Sequence, residues 1–188
     1  MQGDFSSNLS EIRKRARMHM ESGAVTDSYK ANLDVVIKFL NEALATEIVC
    51  VLRYKRHYFM AQGWQSEPIA AEFLEHAQEE QEHADTIAIR ITQLGGKPDL
   101  NPQGLTSRSA SEYVEGDTLL EMVREDLVAE SIAIDTYKEM ITYVGNDDPT
   151  TRRMLEEILA KEEEHADDLA QLLSTMNTDT RINEKRAS

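Results

Sequence analysis

The chain has a single cysteine, Cys50, among its 188 residues. One thiol excludes an intramolecular disulfide framework and suits a reducing compartment, so a cytoplasmic location is expected. Proline and glycine are also scarce, at four and eight. Their scarcity leaves long uninterrupted stretches of Ala, Leu, Glu, Ile and Gln, and β-branched runs with period-two alternation are few. These absences predict an all-α protein. No run of about 18 apolar residues occurs, so neither a transmembrane helix nor a membrane partner is expected. The segment Met1 to Ser10 is polar and lacks the apolar core of a secretory signal. At this length the simplest organisation is one domain with a full hydrophobic core.

Charge of one sign is in excess. The formal net charge is -15, which repels nucleic acid and attracts cations. Such a surface solubilises, and it also gathers metal ions. Arg13, Lys14, Arg15 and Arg17 form a local basic cluster, diluted by Glu11 and Glu21. A solvated N-terminal helix or arm accounts for it; contact with nucleic acid is the sharper alternative.

Four long helices follow from caps and periodicity. The first is predicted over 28–62, with Asp27 as N-cap and Gly63 as stop. The second opens at Ser66-Glu67-Pro68 and runs to Leu94, where Gly95-Gly96 ends it. The third opens at Asp117-Thr118 and closes at Gly145. The fourth opens at Asp148, with Pro149 in the first turn, and ends near Met176. Short connections pair the first two and the last two as antiparallel hairpins. Residues 95–116 carry Pro98, Pro102 and Gly104; about 22 residues reach up to about 70 Å extended, enough to cross a bundle. The predicted architecture is an antiparallel four-helix bundle over 27–176 with a long crossover between its second and third helices. An N-terminal extension over 1–26, with a short helix near Leu9 to Met20, precedes it. A polar tail over 177–188 follows.

Two stretches repeat one pattern: Glu80-Gln81-Glu82-His83 and Glu162-Glu163-Glu164-His165. A carboxylate and an imidazole three residues apart share a helix face. The apolar stripes place them in the core. The first helix reads Leu33, Ile37, Leu40, Leu44, Glu47, Val51, Tyr54, Tyr58. The second reads Phe73, His76, Glu80, His83, Ile87, Ile91, Leu94. The third reads Leu120, Val123, Leu127, Glu130, Ile134, Tyr137, Ile141, Val144. The fourth reads Leu155, Ile158, Glu162, His165, Leu169, Leu172. Each seam is interrupted near its middle by an acid, and in two of them a histidine follows.

The four acids fall at one depth. From Glu47 to the end of its helix is about 15 residues, and from Ser66 back to Glu80 about 14, each roughly 21–22 Å of rise. Glu130 and Glu162 relate to their own turn in the same way. The hairpins correspond, Glu47 with Glu130, Tyr54 with Tyr137, Glu80 with Glu162, and His83 with His165. A buried carboxylate costs several kcal/mol unless paired or metal-bound. No Lys or Arg interrupts the stripes at that level. Protonation, water or metal cations are the available compensations, and a pair of metal ions resolves all four acids and uses both histidines.

Over roughly residues 30–175 the chain resembles ferritin-like di-metal carboxylate proteins, most closely those of bacterioferritin or Dps type. Their pattern is one Glu from each of two helices plus Glu-x-x-His from each of the other two. Glu47, Glu80, His83, Glu130, Glu162 and His165 fill it. The resemblance implies a ferroxidase that oxidises Fe(II) with O2 or H2O2 at an intrasubunit di-iron site, within a homo-oligomeric shell of 12 or 24 subunits. Glu47 and His83 would hold one iron, Glu130 and His165 the other, and Glu80 and Glu162 would bridge. Oxygen and nitrogen donors without thiolate suit iron, with Mn or Zn as substitutes. Tyr54 matches a bacterioferritin tyrosine close to the centre, and Asp126 an acid that orients a ligand histidine. Gln81 stands where bacterioferritin carries its haem-ligating Met, which argues against haem through that ligand. No fifth short helix is visible after Met176.

Two other functions stay open on the sequence: a non-storing di-metal oxidase or peroxidase of rubrerythrin or manganese-catalase type, and a non-enzymatic DNA-protecting shell. His76 is read as a satisfied core or inner-surface histidine, with an extra ligand as the alternative. Glu79, Glu82, Glu163 and Glu164 are read as solvated flanks, with an iron path as the alternative. Cys50 is assigned to packing, and His57 has no assigned chemistry.

Overall fold

The computed structural model describes residues 8–18, 20–61, 63 and 66–187. Its helices are α1 (Leu9–Met18), α2 (Leu33–Met60), α3 (Glu67–Gln93), α4 (Leu105–Arg108), α5 (Leu119–Val144) and α6 (Pro149–Ala187), with a single 3-10 turn over Met20–Ser22. No strand occurs among the described residues. The all-α four-helix bundle expected from the sequence is present: α2 packs along α3 and α5 along α6, and the two hairpins join through α2 with α5 and α3 with α6. No helix among the described residues is long and apolar enough to cross a membrane.

Local chemistry explains most boundaries. Thr118 caps α5 in a reciprocal box: its hydroxyl accepts from Glu121 N, and the Glu121 carboxylate accepts from Thr118 N. Asp148 accepts from Thr151 N at 2.9 Å and so caps α6. Pro68 lies in the first turn of α3.

Two boundaries differ from expectation. Asn32, not Asp27, caps α2, accepting from Val35 N. The preceding turn is held elsewhere: Val25, Tyr29 and Ala31 pack on the core, and Tyr29 donates to Asp148 at 3.0 Å. Helix α6 continues past Met176 to Ala187, because 177–187 contains no Gly or Pro to stop it. The predicted first-helix end at Gln62, and residues 1–7 of the predicted extension, lie outside the described residues.

The crossover does span the bundle, tracking α2. Asn41 at one end of α2 accepts from Asp99 N at 2.7 Å and donates to Lys97 O. Further along, Ala110 N donates to Thr46 Oγ1, Arg53 donates to Glu112 O, and His57 meets Glu115 O. Gly96 permits the close start of this path: a Cβ there would meet Ile37 and Ile91 side chains at 2.9 Å.

The core has two large apolar masses, with a small third of Ala45, Val49 and Leu105 where α4 meets α2. One contains Leu40, Leu44, Ile87, Ile91, Val144, Leu155 and Ile158. The other contains Cys50, Tyr54, Ile69, Phe73, Val123 and Leu169. Along every helix the interrupting acid lies between the two.

Candidate metal centre

All six predicted residues converge in that gap. Glu47 comes from α2, Glu80 and His83 from α3, Glu130 from α5, and Glu162 and His165 from α6. His83 is the most accessible at 8 %, and the other five are 1 % exposed.

His83 Nδ1 lies 2.9 Å from Glu162 Oε1, 3.4 Å from Glu47 Oε2 and 3.5 Å from Glu80 Oε2. His165 Nδ1 lies 3.5 Å from Glu80 Oε1 and 4.0 Å from Glu130 Oε2. Two overlapping quartets result, Glu47/Glu80/His83/Glu162 and Glu80/Glu130/Glu162/His165, with the ligating atoms of each within 4.8 Å of one another. Glu80 and Glu162 belong to both. Glu47 Oε2, both Glu80 oxygens, Glu130 Oε2, Glu162 Oε1 and the Nδ1 atoms of both histidines are buried without an aligned hydrogen-bond partner. Among the described residues no Lys or Arg pairs with any of these carboxylates. Buried polar atoms are rarely left so, and seven at one spot fit a cation-binding cage. The donor set of four carboxylates and two imidazoles suits iron or manganese.

Surrounding groups fix the orientations. Tyr54 donates to Glu130 Oε1 and Tyr137 donates to Glu47 Oε1 through short hydrogen bonds, so Oε2 of each acid faces inward. Glu79 Oε2 lies 2.7 Å from His165 Nε2, and Lys161 lies 3.3 Å from Glu79 Oε1. This bond turns His165 Nδ1 toward the centre. Glu79 is therefore not a solvated flank, whereas Glu82, Glu163 and Glu164 are exposed as expected. His76 is buried as its stripe position required; its Nδ1 meets Tyr54 Oη at 3.2 Å, and its ring stacks on His165 at 4.1 Å.

The electrostatics push the members of this cluster in different directions. Burial and the neighbouring Glu80 charge push Glu47 well up, and burial with the charges of Glu80, Glu47 and Glu130 does the same to Glu162. Burial and Glu80 raise Glu130 to about 7. Glu80 itself is held low, because the close approach of Glu47, His165 and His83 outweighs its burial. Burial opposes charge on the imidazoles, yet the adjacent carboxylates raise His83 to about 10 and His165 to about 9.

Asp126 requires a correction. It orients a histidine, but His57 rather than one of the six. Its carboxylate lies 2.8 Å from His57 Nδ1 and accepts from Arg53 Nε at 2.8 Å. Arg53 and His57 also hold the crossover backbone. Their i, i+4 spacing beside the stripe was the available signal. Cys50 is buried, as packing predicted, and burial pushes its thiol well up, away from the reactive thiolate.

Comparison with known proteins agrees with this geometry. A ferritin-like domain profile matches residues 37–178. A bacterioferritin of Mycobacterium avium is 33% identical over 143 residues, 76% of this chain and 86% of that protein. A solved structure described as a dodecameric thioferritin, the bacterioferritin-related protein of Bacteroides fragilis, superposes with a TM-score of 0.77 at 28% identity, covering 94% of this chain and 98% of that one. The Dps of Thermosynechococcus elongatus shares the fold at TM-score 0.71 and 19% identity, covering 74% and 90%. With its helical bundle, and with the profile spanning most of its length, the chain belongs to the ferritin-like family, with bacterioferritins among its relatives.

Proposed function

We propose that this protein is a ferroxidase that binds two Fe(II) ions within one subunit, oxidises them with O2 or H2O2, and keeps the product in a homo-oligomeric shell. The observation that carries this is the set of seven inward-facing, unpartnered ligand atoms between two apolar masses. Membership of the ferritin-like family supports an iron-handling role.

Each ligand's role follows from which of its oxygens is free. Glu47 and Glu130 each give one oxygen to a tyrosine and so keep one for metal, which makes them terminal ligands. Both Glu80 oxygens are unpartnered and face both histidines, as a bridge requires. Glu162 lies in both quartets and bridges from the opposite hairpin. His83 and His165 each supply Nδ1. Loading drives protons from Glu47, Glu162 and the imidazoles, so cation charge replaces proton charge in the buried cage. Two Fe(II) would then become two Fe(III) by giving two electrons, with two protons taken up from solvent, to O2, yielding H2O2, or to H2O2, yielding two waters. The walls of Leu, Ile, Phe and Val exclude bulk water from the cluster.

The test is oxidant consumption and Fe(III) absorbance after Fe(II) addition to the protein and to Glu80→Ala. Oxidation at least tenfold faster than in the variant is expected; equal rates would reject the proposal. For the shell, native mass spectrometry should find a multiple of the 21.3 kDa chain. Twelve copies is the favoured number, because the 28% identical structure is described as dodecameric.

A further inference from the structure

Next to the six-residue cluster lies a second group, built from residues the cluster does not use. Glu72 and His76 are one turn apart on α3, and Asp168 projects from α6 one turn beyond His165. Ligating atoms of the three lie within 4.8 Å of one another. His76 is 1 % exposed, while both acids are half-buried and reach solvent.

The hydrogen bonds around His76 decide what its free nitrogen offers. Tyr54 gives its hydroxyl proton to Glu130. Its oxygen therefore accepts from His76 Nδ1, 3.2 Å away. With the proton on Nδ1, the Nε2 atom carries a lone pair. That lone pair faces Glu72 Oε1 at 3.3 Å, with Asp168 alongside. Three acceptors then converge with no donor among them. Neither Glu72 nor Asp168 pairs with a Lys or Arg among the described residues; the nearest cation on α6, Lys161, is occupied by Glu79 and Glu164. Without a cation the arrangement is repulsive, and one divalent ion removes the repulsion at all three atoms.

We propose that Glu72, His76 and Asp168 form a third divalent-cation site, adjoining the dinuclear cluster through His76 and open to solvent. One imidazole nitrogen and two carboxylates suit Fe(II), Mn(II) or Zn(II), with water completing the coordination. The hydrogen-bond chain His76–Tyr54–Glu130 joins this ion to the inner pair. The site does not depend on the oxidative function assigned to that pair.

The experiment is an anomalous difference map of full-length crystals soaked in Mn(II) or Zn(II), paired with calorimetric titration by Zn(II) in solution. A peak bonded to His76 Nε2, Glu72 and Asp168 is expected, with three ions bound per chain. Glu72→Gln/Asp168→Asn alters only partly exposed side chains outside the six and should lose that peak alone, falling to two ions per chain. An inner pair that fills while this position shows no density overturns the proposal. So does a double variant that still binds three. If the outer position fills and the inner cluster does not, the third site stands and the dinuclear function fails. Should the double variant not fold, the wild-type map alone decides.

Discussion

Tyr54 on α2 donates its hydroxyl to Glu130 on α5, and the exchanged pair, Tyr137 on α5 to Glu47 on α2, makes the same bond. Each hairpin thus orients a buried acid of the other. Removing either hydroxyl leaves a buried carboxylate oxygen without its donor. Such a loss costs about 1–3 kcal/mol. Tyr54→Phe and Tyr137→Phe should each lower the denaturation midpoint of the metal-free protein by a corresponding amount. Urea unfolding checks this, and an unchanged midpoint in both variants would refute the orienting role.

On the proposed assignment, the acids shared by both quartets should separate from those in one by metal count. Glu80 and Glu162 lie in both quartets, Glu47 and Glu130 in one each. Glu80→Gln and Glu162→Gln are expected to abolish tight binding of the inner pair. Glu47→Gln and Glu130→Gln should each retain one inner ion. Zn(II) stoichiometry by elemental analysis after gel filtration distinguishes the classes, and four variants with identical counts would show the assignment to be wrong.

The bundle and its six inward residues were legible because they follow from local rules. An acid breaking an apolar stripe at the same rise from its turn on four helices is visible in one dimension. Contacts formed only after packing were not. Glu79 and Glu82 look alike in the sequence, yet only Glu79 meets His165 once α6 lies against α3. By resemblance Asp126 serves a ligand histidine, but its partners Arg53 and His57 sit 73 and 69 positions away on α2. The start of α2 was misplaced for a similar reason: the Tyr29 bond to Asp148 links the preceding turn to the α6 cap, 119 positions distant.

The proton load of the cluster sets a pH dependence with a definite sign. His83 and His165 rise from an ordinary 6.5 to about 10 and about 9, so the folded state holds their protons more tightly than the unfolded chain. Their stabilisation is full below about pH 6.5 and is lost as pH climbs toward 9–10. Glu47 and Glu162, also raised, act in the same direction. Glu80 is depressed, and its contribution is complete above its ordinary value of 4.5, so it adds no slope here. The metal-free protein should therefore lose thermal stability between pH 7 and 10, while metal affinity rises over that range. Loading the pair at pH 7 should release protons, because His83 and His165 are raised to about 10 and about 9 and must lose theirs to ligate. Zn(II) titration in weak buffer with a pH indicator counts them, and release of none would contradict the raised imidazole values.

Asp126 on α5 holds the two α2 side chains that bond the crossover, and its loss should be the costliest of these changes. The carboxylate is fully buried beside Arg53, itself 1 % exposed, and both bond within 3 Å. Asp126→Ala strands a guanidinium in the core and frees His57 from one of its two partners. Breaking a buried pair this way costs about 3–5 kcal/mol. Arg56→Ala offers the contrast. It removes a pair with Glu115 whose side chains are 29% and 58% exposed, worth under about 1 kcal/mol. The first pair ties α2 to α5 and the second ties α2 to the crossover, and the first is buried while the second is exposed. Denaturant unfolding should place the two variants at least about 2 kcal/mol apart. Limited proteolysis within 109–116 should accelerate for Asp126→Ala and barely change for Arg56→Ala, since only the first releases Arg53 and His57 from Glu112 and Glu115. Equal midpoints would mean that the crossover is held by its hydrogen bonds to Asn41 and Thr46 instead.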